Sequence, residues 1–418
     1  MKRNKTRLVV LSGLVWGVFG LPAHAGARTV EEILKDKGYI TEEEYKEVTA
    51  DRKRTDEASG RFSVAYKPGK GFQIATPDDN NALTVGGRVQ VRYTATDREE
   101  SNDESTFRIR RARLWFEGHL VEPHFRYGFQ GDFASGFSLR DAYLEFAHVP
   151  WAIVKVGQFK IPYNRQQITS SGALQFVDRP VTNDEFIFGD DGRDIGGMVY
   201  GELLPQVVTY HIGVFNGSGP NTTNEDTNMM AVGRMLFTPF GAFKDYYVEG
   251  DHVGGKTPRF GFGIGAAYTA DETNGRTTRR TGLADPKRFP TFHGADIVGV
   301  TADAQLKWHG LALLGDYYFR SVDPRGRDIP QFDAHGAVAQ VGYFILPQKL
   351  EVAARYAWLD PNDAVRNNRV QEYGGAVGYF FSSHNLKVQA DLRRVDTRRP
   401  GKSEAHELEG RVQVQAIF

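Results

Sequence analysis

The chain has 418 residues, with 52 Lys and Arg against 52 Asp and Glu, no Cys, 46 Gly, 18 Tyr and 28 Phe. A mean hydropathy of −0.45 excludes a bundle of transmembrane helices, each of which would need about 20 consecutive apolar residues. The lack of Cys excludes a disulfide framework, thiolate metal ligands and a catalytic thiol. Gly and aromatic richness favours one large all-β domain over two or three soluble domains.

The first 25 residues have the pattern of a secretory signal peptide. Four basic residues lie before position 8, Leu8 to Leu21 is mostly apolar, and Ala23-His24-Ala25 supplies the small residues that a signal peptidase recognises. We therefore predict cleavage after Ala25; a buried core helix is the alternative. The mature chain then carries 52 − 4 = 48 basic groups against 52 acidic ones, so we predict no general binding of nucleic acid.

Residues 26–58 are rich in Glu and Lys, with widely spaced apolar residues. Thr41 and Glu44 fit a capping box, in which each side chain accepts a hydrogen bond from a backbone N–H at the start of a helix. We predict a periplasmic helical or coiled-coil leader with one or two short helices. A solvated segment that packs weakly is the alternative.

Beyond residue 82, apolar and polar side chains alternate in runs of about ten residues, which is typical of β-strands with two different faces. In one run, Val85, Val89 and Val91 oppose Arg88 and Arg92. Sixteen such segments are predicted, at 83–94, 107–121, 124–134, 138–147, 151–161, 194–204, 206–215, 229–238, 258–270, 295–308, 310–320, 335–345, 349–359, 371–381, 384–395 and 406–418.

The connections between these segments alternate between tight turns and long polar loops. An even number of strands with short turns at one end and long loops at the other is typical of an outer-membrane β-barrel, which must close because lipid cannot satisfy a sheet edge. We therefore predict a 16-stranded antiparallel transmembrane β-barrel over residues 59–418. The strands of a soluble β-sandwich or barrel also alternate between apolar and polar residues. Here, however, the polar face carries charged residues in the middle of the strands, which argues against a soluble fold. The connection at 239–257 should be short and is instead long and aromatic.

Several motifs resemble those of the phosphate-selective porin O and P family of Gram-negative outer membranes. They are Arg110-Arg111-Ala112-Arg113-Leu114-Trp115-Phe116-Glu117-Gly118, Lys155-Val156-Gly157-Gln158-Phe159-Lys160-Ile161-Pro162, Gly192-Arg193-Asp194-Ile195-Gly196-Gly197, and Gly71-Phe72-Gln73-Ile74 leading into Gly86-Gly87-Arg88-Val89-Gln90. The terminal Phe418 is similar to the assembly signal of outer-membrane barrels in general. The resemblance covers roughly residues 60–418.

The resemblance implies a homotrimeric channel with an inward-folded loop and pore-lining arginines. The corresponding constriction loop, about 162–193, contains Arg165 and Arg179 but no Lys, and it is acidic at Asp178, Asp184, Glu185, Asp190 and Asp191. This departure argues against strict phosphate selectivity. Combining strand register with the resemblance, we predict these pore-lining or anion-binding residues: Arg88, Arg92, Arg111, Arg113, Arg126, Lys155, Arg165, Arg179, Arg355, Arg393 and Arg411.

The predicted function is passive diffusion of small hydrophilic solutes, with a preference for anions such as phosphate or polyphosphate, because arginine stays charged and its planar group presents several donors. The predicted partners are outer-membrane lipid, small anions and two further copies of the chain. No cofactor, metal site or catalytic residue is predicted. The alternatives are a general non-selective porin, a structural or adhesive barrel whose arginines only brace acidic residues, and a barrel hydrolase, for which no Ser-His-carboxylate motif is recognisable.

Overall fold

The computed structural model describes residues 34–35, 37–224, 227–273 and 275–418, without the side chains of 51–59. The predicted signal peptide and the first residues of the leader therefore lie outside the described residues. The chain divides into two units, Met1–Arg52 and Lys53–Phe418. The sheet and all the sites discussed below belong to the second unit.

The described part of the leader contains helix α1, Glu42–Ser59. The Thr41 N–H donates to Glu44 Oε2 over 2.7 Å, and the Glu44 N–H donates to Thr41 Oγ1 over 3.2 Å. The predicted capping box is thus confirmed, although the helix is a single element of 18 residues. Glu42 and Glu43 lie with Glu44 in its first turn, where negative charge opposes the positive end of the helix dipole. Within the described ranges, every helix is too short or too polar to cross a bilayer.

The rest of the chain is mostly strand. The strands are β1 Ser63–Lys67, β2 Gly71–Ala75, β3 Ala82–Arg98, β4 Glu104–Leu120, β5 Glu122–Asp132, β6 Ser138–Phe146, β7 Ile153–Lys160, β8 Arg193–Leu204, β9 Val208–Phe215, β10 Met230–Phe237, β11 Arg259–Thr269, β12 Gly294–Trp308, β13 Leu311–Arg325, β14 Phe332–Leu346, β15 Leu350–Asp360, β16 Val370–Ser382, β17 Leu386–Thr397 and β18 Ala405–Ile417. Short helices occur only in loops: α2 Arg165–Ile168, α3 Val181–Phe186, a 3-10 turn at Asp190–Gly192 and α4 Arg276–Thr281.

Strands β3 to β18 form a closed antiparallel barrel of sixteen strands, as predicted. Each strand pairs with its neighbour in sequence, and β18 pairs back onto β3 with Ala416 opposite Val89. At the seam, Phe418 and Gly87 exchange both backbone hydrogen bonds, at 2.9 and 2.7 Å. The hairpin β1–β2 extends the sheet there, because β2 pairs with the first residues of β3.

Burial along the strands is the reverse of that in a soluble protein. On β12 the inward-facing Asp303 and Lys307 are 4% and 0% exposed, whereas Val298 and Val300 on the outward face are 40% and 38% exposed. Large exposed hydrophobic side chains recur around the whole barrel. An apolar exterior around a polar interior is the arrangement that a lipid bilayer requires.

The two ends of the barrel differ as the sequence predicted. At the short-turn end, β4 and β5 are separated by Val121 alone, and β12 and β13 by His309 and Gly310. At the long-loop end, the connection between β7 and β8, here called the constriction loop, spans 161–192 and contains α2, α3 and the 3-10 turn.

The constriction loop folds into the barrel and is held by polar side chains of the wall. Lys387 and Gln389 of β17 donate to the Leu174 carbonyl over 3.1 and 2.9 Å, and the Val177 N–H donates to Asp391 Oδ2 over 2.9 Å. A loop inside a barrel must find partners for its backbone groups away from bulk water. The inward-facing Gln, Lys and Asp residues therefore have a structural role in addition to any role in transport.

The long connection at 238–258 also folds into the lumen, from the short-turn end. Tyr246 on this second insert is 1% exposed, and its hydroxyl lies 2.5 Å from Asp303 Oδ1. The two inserts meet, because Glu249 N–H donates to the Ala173 carbonyl over 3.1 Å and Glu249 Oε2 accepts from the Gln175 N–H over 2.8 Å. The connection that was too long for the predicted alternation of short turns and long loops is thus an inward-folded insert and not a turn.

Candidate functional site

The two inserts leave the polar wall unequally covered. Lys307 on β12 and Arg355 on β15 have side chains that are 0% and 1% exposed, because the inserts pack over β10 to β18. On the opposite side, the side chains of Arg110 on β4 and Arg126 on β5 are 35% and 48% exposed. Water therefore reaches the wall of the lumen along β4 and β5.

A dense group of cations lies beside this accessible part of the wall, along the edge of the constriction loop. Most of its side chains are buried, whereas that of Arg110 is 35% exposed. We call it the basic cluster. It comprises nine cationic side chains, Arg88, Arg92, Arg110, Arg111, Arg113, Arg140, Lys160, Arg179 and Arg193, with the four carboxylates Asp132, Asp141, Asp178 and Asp191 among them. Nine positive against four negative groups gives a formal excess of five positive charges.

Two bulges in the sheet increase the number of cations that point inward. The pairing of β3 with β4 shifts after Gln90, so that both Arg110 and Arg111 reach Asp178, at 3.5 and 3.9 Å. The pairing of β5 with β6 shifts after Gln130, next to Arg140. A bulge places an extra residue in one strand and redirects its side chains, so neighbouring residues can share one face.

Some cations of the cluster are paired with carboxylates. Asp178, on the constriction loop, also pairs with Arg92, whose Nη1 lies 2.9 Å from Asp178 Oδ2. Burial would raise the pKa of the Asp178 carboxyl, but Arg111, Arg92 and Arg110 outweigh it and hold that pKa well below its usual value. Asp178 is therefore a permanent anion around which three arginines are ordered.

The remaining pairs lie on neighbouring strands or at the end of the loop. Arg113 Nε lies 2.7 Å from Asp132 Oδ2. Arg193 contacts both Asp141, at 3.0 Å, and Asp191, at 3.1 Å. Arg140 also pairs with Asp191. Each of the four carboxylates of the cluster is therefore paired with at least one arginine.

Three cations of the cluster have no ion-pair partner among the described residues: Arg88, Lys160 and Arg179. Arg88 donates to Ser170 Oγ over 3.2 Å, and its Nε has no protein partner. Lys160 Nζ donates to the carbonyls of Ile168 and Thr169 over 3.0 and 3.2 Å. Arg179 also donates to the Thr169 carbonyl, over 2.7 Å. Buried cations without a carboxylate are electrostatically incomplete, which favours an anion beside them.

The other predicted pore-lining cations lie outside the basic cluster. Arg126 and Lys155 flank Glu145, at 3.6 and 3.2 Å, nearer the short-turn end. Arg165, on the constriction loop itself, is completely buried, with Nη2 donating to the Tyr246 carbonyl of the second insert over 3.4 Å.

On β15 to β18, the predicted arginines are neutralised by nearby carboxylates. Arg355 pairs with Glu372, Arg393 with Glu409 at 2.8 Å, and Arg411 with Asp391 at 2.7 Å. All three are closely paired, and Arg355 and Arg411 are also almost completely buried. They brace the barrel and the loop, which is the role that the alternative interpretation gave to the arginines.

The acidic residues predicted for the constriction loop divide into two groups. Asp178 and Asp191 belong to the basic cluster, as described above. Asp184 and Asp190 lie near Arg276 of α4, at 3.9 and 3.3 Å. Glu185 pairs with Arg320 and with Arg280. The second group therefore ties the constriction loop to the loop that carries α4 and to β13, and its charge is largely compensated there.

The sequence-based prediction missed four members of the cluster: Arg110, Arg140, Lys160 and Arg193. Strict alternation places Arg110 and Arg140 on the lipid face, and only the bulges correct this. Lys160 and Arg193 lie at the two ends of the constriction loop and pair in register with each other. Their position at the base of the predicted loop was the available signal.

Comparison with known proteins agrees with the fold. The sequence model of the family described as phosphate-selective porin O and P matches residues 83–418. An uncharacterized protein of Aquifex aeolicus (strain VF5) is 21% identical over 428 residues, covering 92% of this chain and 93% of that protein.

Two solved structures are similar to this fold. An anion-selective porin from Comamonas acidovorans is 12% identical, with a TM-score of 0.55 over 81% of this chain and 100% of that one. In its trimer form, OmpT, an outer membrane protein of Vibrio cholerae, is 12% identical, with a TM-score of 0.51 over the same shares of the two chains.

Proposed function

The chain belongs to the phosphate-selective porin O and P family, and from that premise and the lumen geometry we propose that it is an outer-membrane porin that prefers small anions. Membership of the family makes it a channel protein of the outer membrane. The preference for anions is the part that we propose. It is in keeping with the similar fold of the anion-selective porin from Comamonas acidovorans.

The observation that carries the proposal is the excess of cations over carboxylates in the basic cluster, with Arg88, Lys160 and Arg179 in no ion pair among the described residues, beside the accessible part of the lumen. A narrow pore surrounded by protein of low dielectric focuses the field of its charges, so an excess of five positive charges attracts anions and repels cations. The same groups offer N–H donors that replace water around a partly dehydrated anion.

Among anions, we propose phosphate as one permeant or binding species. Arginine presents its donors in a planar fork that fits two phosphate oxygens at once, and Lys160 adds a point charge. Support comes from this chemistry and from the name of the family. Because Asp178 and Asp191 lie within the cluster, chloride and other small anions are expected to pass as well.

Export and assembly complete the proposal. We propose cleavage after Ala25, a periplasmic position for residues 26–58 and insertion of the barrel into the outer membrane with its short turns on the periplasmic side. We also propose a homotrimer, in line with the trimer form described for OmpT of Vibrio cholerae.

Single-channel recording tests the proposal with a matched pair of variants. The mature chain is inserted into planar bilayers, and reversal potential is measured in a KCl gradient for wild type, for Arg88→Gln with Lys160→Met, and for Arg398→Gln. Arg398 pairs with Glu404 on a surface loop, so its substitution removes a charge outside the lumen. We expect the double variant to shift towards cation preference and Arg398→Gln to behave as wild type.

Phosphate is then added to one side of the bilayer at constant ionic strength. Block of chloride current by phosphate in wild type, and its weakening in the double variant, are expected. Anion preference without block would leave a general anion porin. Cation preference in wild type would contradict the proposal, and absence of any conductance would favour a structural barrel.

A further inference from the structure

A second group of chemically active side chains lies at the short-turn end, outside the basic cluster. Glu122 and His124 are two residues apart at the start of β5, where the pairing with β4 is irregular, and His148 follows β6 in the adjacent turn. One ligand atom from each of the three lies within 4.8 Å of the others. Within the described ranges, this is the only group of at least three His, Asp or Glu side chains that meets this criterion.

Contacts between the two turns fix these side chains relative to one another. The Ala147 N–H donates to the His124 carbonyl over 2.9 Å, which joins the strand to the turn. The rings of His124 and His148 stack with centroids 5.1 Å apart, and Phe125 packs edge-on against His148 at 4.8 Å. His148 Nε2 lies 2.5 Å from Glu122 Oε1. The three ligand groups are therefore close together before any metal binds, which lowers the entropy cost of binding.

We propose that Glu122, His124 and His148 form a binding site for a divalent transition-metal ion of the Zn²⁺ class. Two imidazoles and one carboxylate are a donor set that Zn²⁺ accepts, with water completing a tetrahedral shell. Ca²⁺ and Mg²⁺ prefer six or more oxygen ligands, and here only one carboxylate is offered. Both imidazoles are exposed, so an ion can enter from solution.

Metal binding would join the start of β5 to the β6–β7 connection of the barrel. The bound ion replaces the single contact between His148 and Glu122 by bonds from both residues, and from His124, to one centre. This proposal is independent of the anion preference, since the site lies outside the basic cluster. The spacing of positions 122, 124 and 148 matches no familiar metal motif, which is why the sequence alone predicted none.

Calorimetric titration of ZnCl₂ into the full mature chain, folded in detergent and free of a histidine tag, tests the proposal. We expect one saturable Zn²⁺ per chain and no binding of Ca²⁺ at the same concentration. Loss of a ligand should weaken Zn²⁺ binding at least about tenfold. Mutation of residues that only hydrogen-bond to metal ligands already lowers metal affinity about 10- to 100-fold. His124→Ala and His148→Ala should therefore both show this loss.

The matched control is His119→Ala. His119 lies at the same end of the barrel, but its ring contacts the Asp79 carbonyl and is not part of the group, so this variant should bind like wild type. Folding of each variant is checked by its heat-dependent electrophoretic mobility, and the isosteric Glu122→Gln serves if a His variant fails to fold. Absence of saturable binding, or equal affinity in wild type and the ligand variants, would overturn the proposal.

Discussion

Asp178 offers the sharpest test of how the cluster sets selectivity, because its removal should increase anion preference. Asp178→Asn keeps the size of the side chain and removes one of four negative charges, so the formal excess rises from five to six. Most substitutions in a charged pore are expected to weaken selectivity. An increase is therefore a more discriminating outcome than a loss.

The size of the effect follows from Coulomb's law. One unit charge acting on a permeant ion about 10 Å away through water contributes about 0.4 kcal/mol. This favours an anion and disfavours a cation equally, so without screening the ratio of anion to cation permeability rises about fourfold. At 0.1 M salt the Debye length is about 10 Å, which reduces the energy to about a third and the expected change to about 1.7-fold.

The same substitution should loosen the constriction loop. Arg92, Arg110 and Arg111 lose their shared carboxylate, but Arg92 keeps Gln413 Oε1 and the Val177 carbonyl. We therefore expect a loss of folding free energy nearer the lower end of the 3–5 kcal/mol that is typical when a buried pair is broken, together with noisier single-channel current.

The assay is reversal potential in a KCl gradient at 0.1 M and at lower salt, with Glu404→Gln as the control. Glu404 is 34% exposed and pairs with Arg398 on a surface loop, where a surface pair contributes about 1 kcal/mol or less. It should leave selectivity unchanged. An unchanged or reduced anion preference in Asp178→Asn would refute the electrostatic reasoning.

Two further predictions concern stability. Arg234→Gln leaves Asp303 buried without the guanidinium that lies 2.8 Å from it, so we expect a loss of about 3–5 kcal/mol in urea unfolding; an unchanged midpoint would contradict this. Burial, together with Lys387 and Lys307, lowers the pKa of His252 to about 3 from 6.5, so below pH 6.5 the unfolded chain binds more protons. From pH 7.5 to 4.5, wild type should therefore lose up to about 2.7 kcal/mol more than His252→Phe. Equal pH dependence in the two proteins would exclude that role for His252.

The barrel could be predicted from sequence because each strand repeats one simple physical rule. Lipid surrounds the barrel, and water or polar loops fill it, so apolar and polar side chains must alternate along each strand. The sixteen segments, including the closing strand, could therefore be recognised by this two-residue period. The ends were less certain. Strand β13 continues to Arg325, beyond the predicted end at 320, because it stays paired with β12 as far as Gly294.

The site was only partly predictable, since it depends on contacts between distant parts of the chain. Alternation identified Arg88 and Arg113 but could not show which arginines lack a carboxylate. It could not place Arg110 or Arg140 inward, because a bulge leaves little trace in sequence. The aromatic insert at 238–258 interrupts the pattern without revealing that it enters the lumen to meet the constriction loop.

The central claim is that the excess positive charge beside the constriction loop makes this porin prefer anions. The most direct measurement is the reversal potential of the wild-type mature chain across a tenfold KCl gradient. The structure predicts a reversal potential with the sign expected when chloride is more permeant than potassium. The preference for chloride should decrease as the salt concentration rises, because salt screens the charges of the basic cluster. A potential of the opposite sign, or one that does not change with ionic strength, would contradict the account.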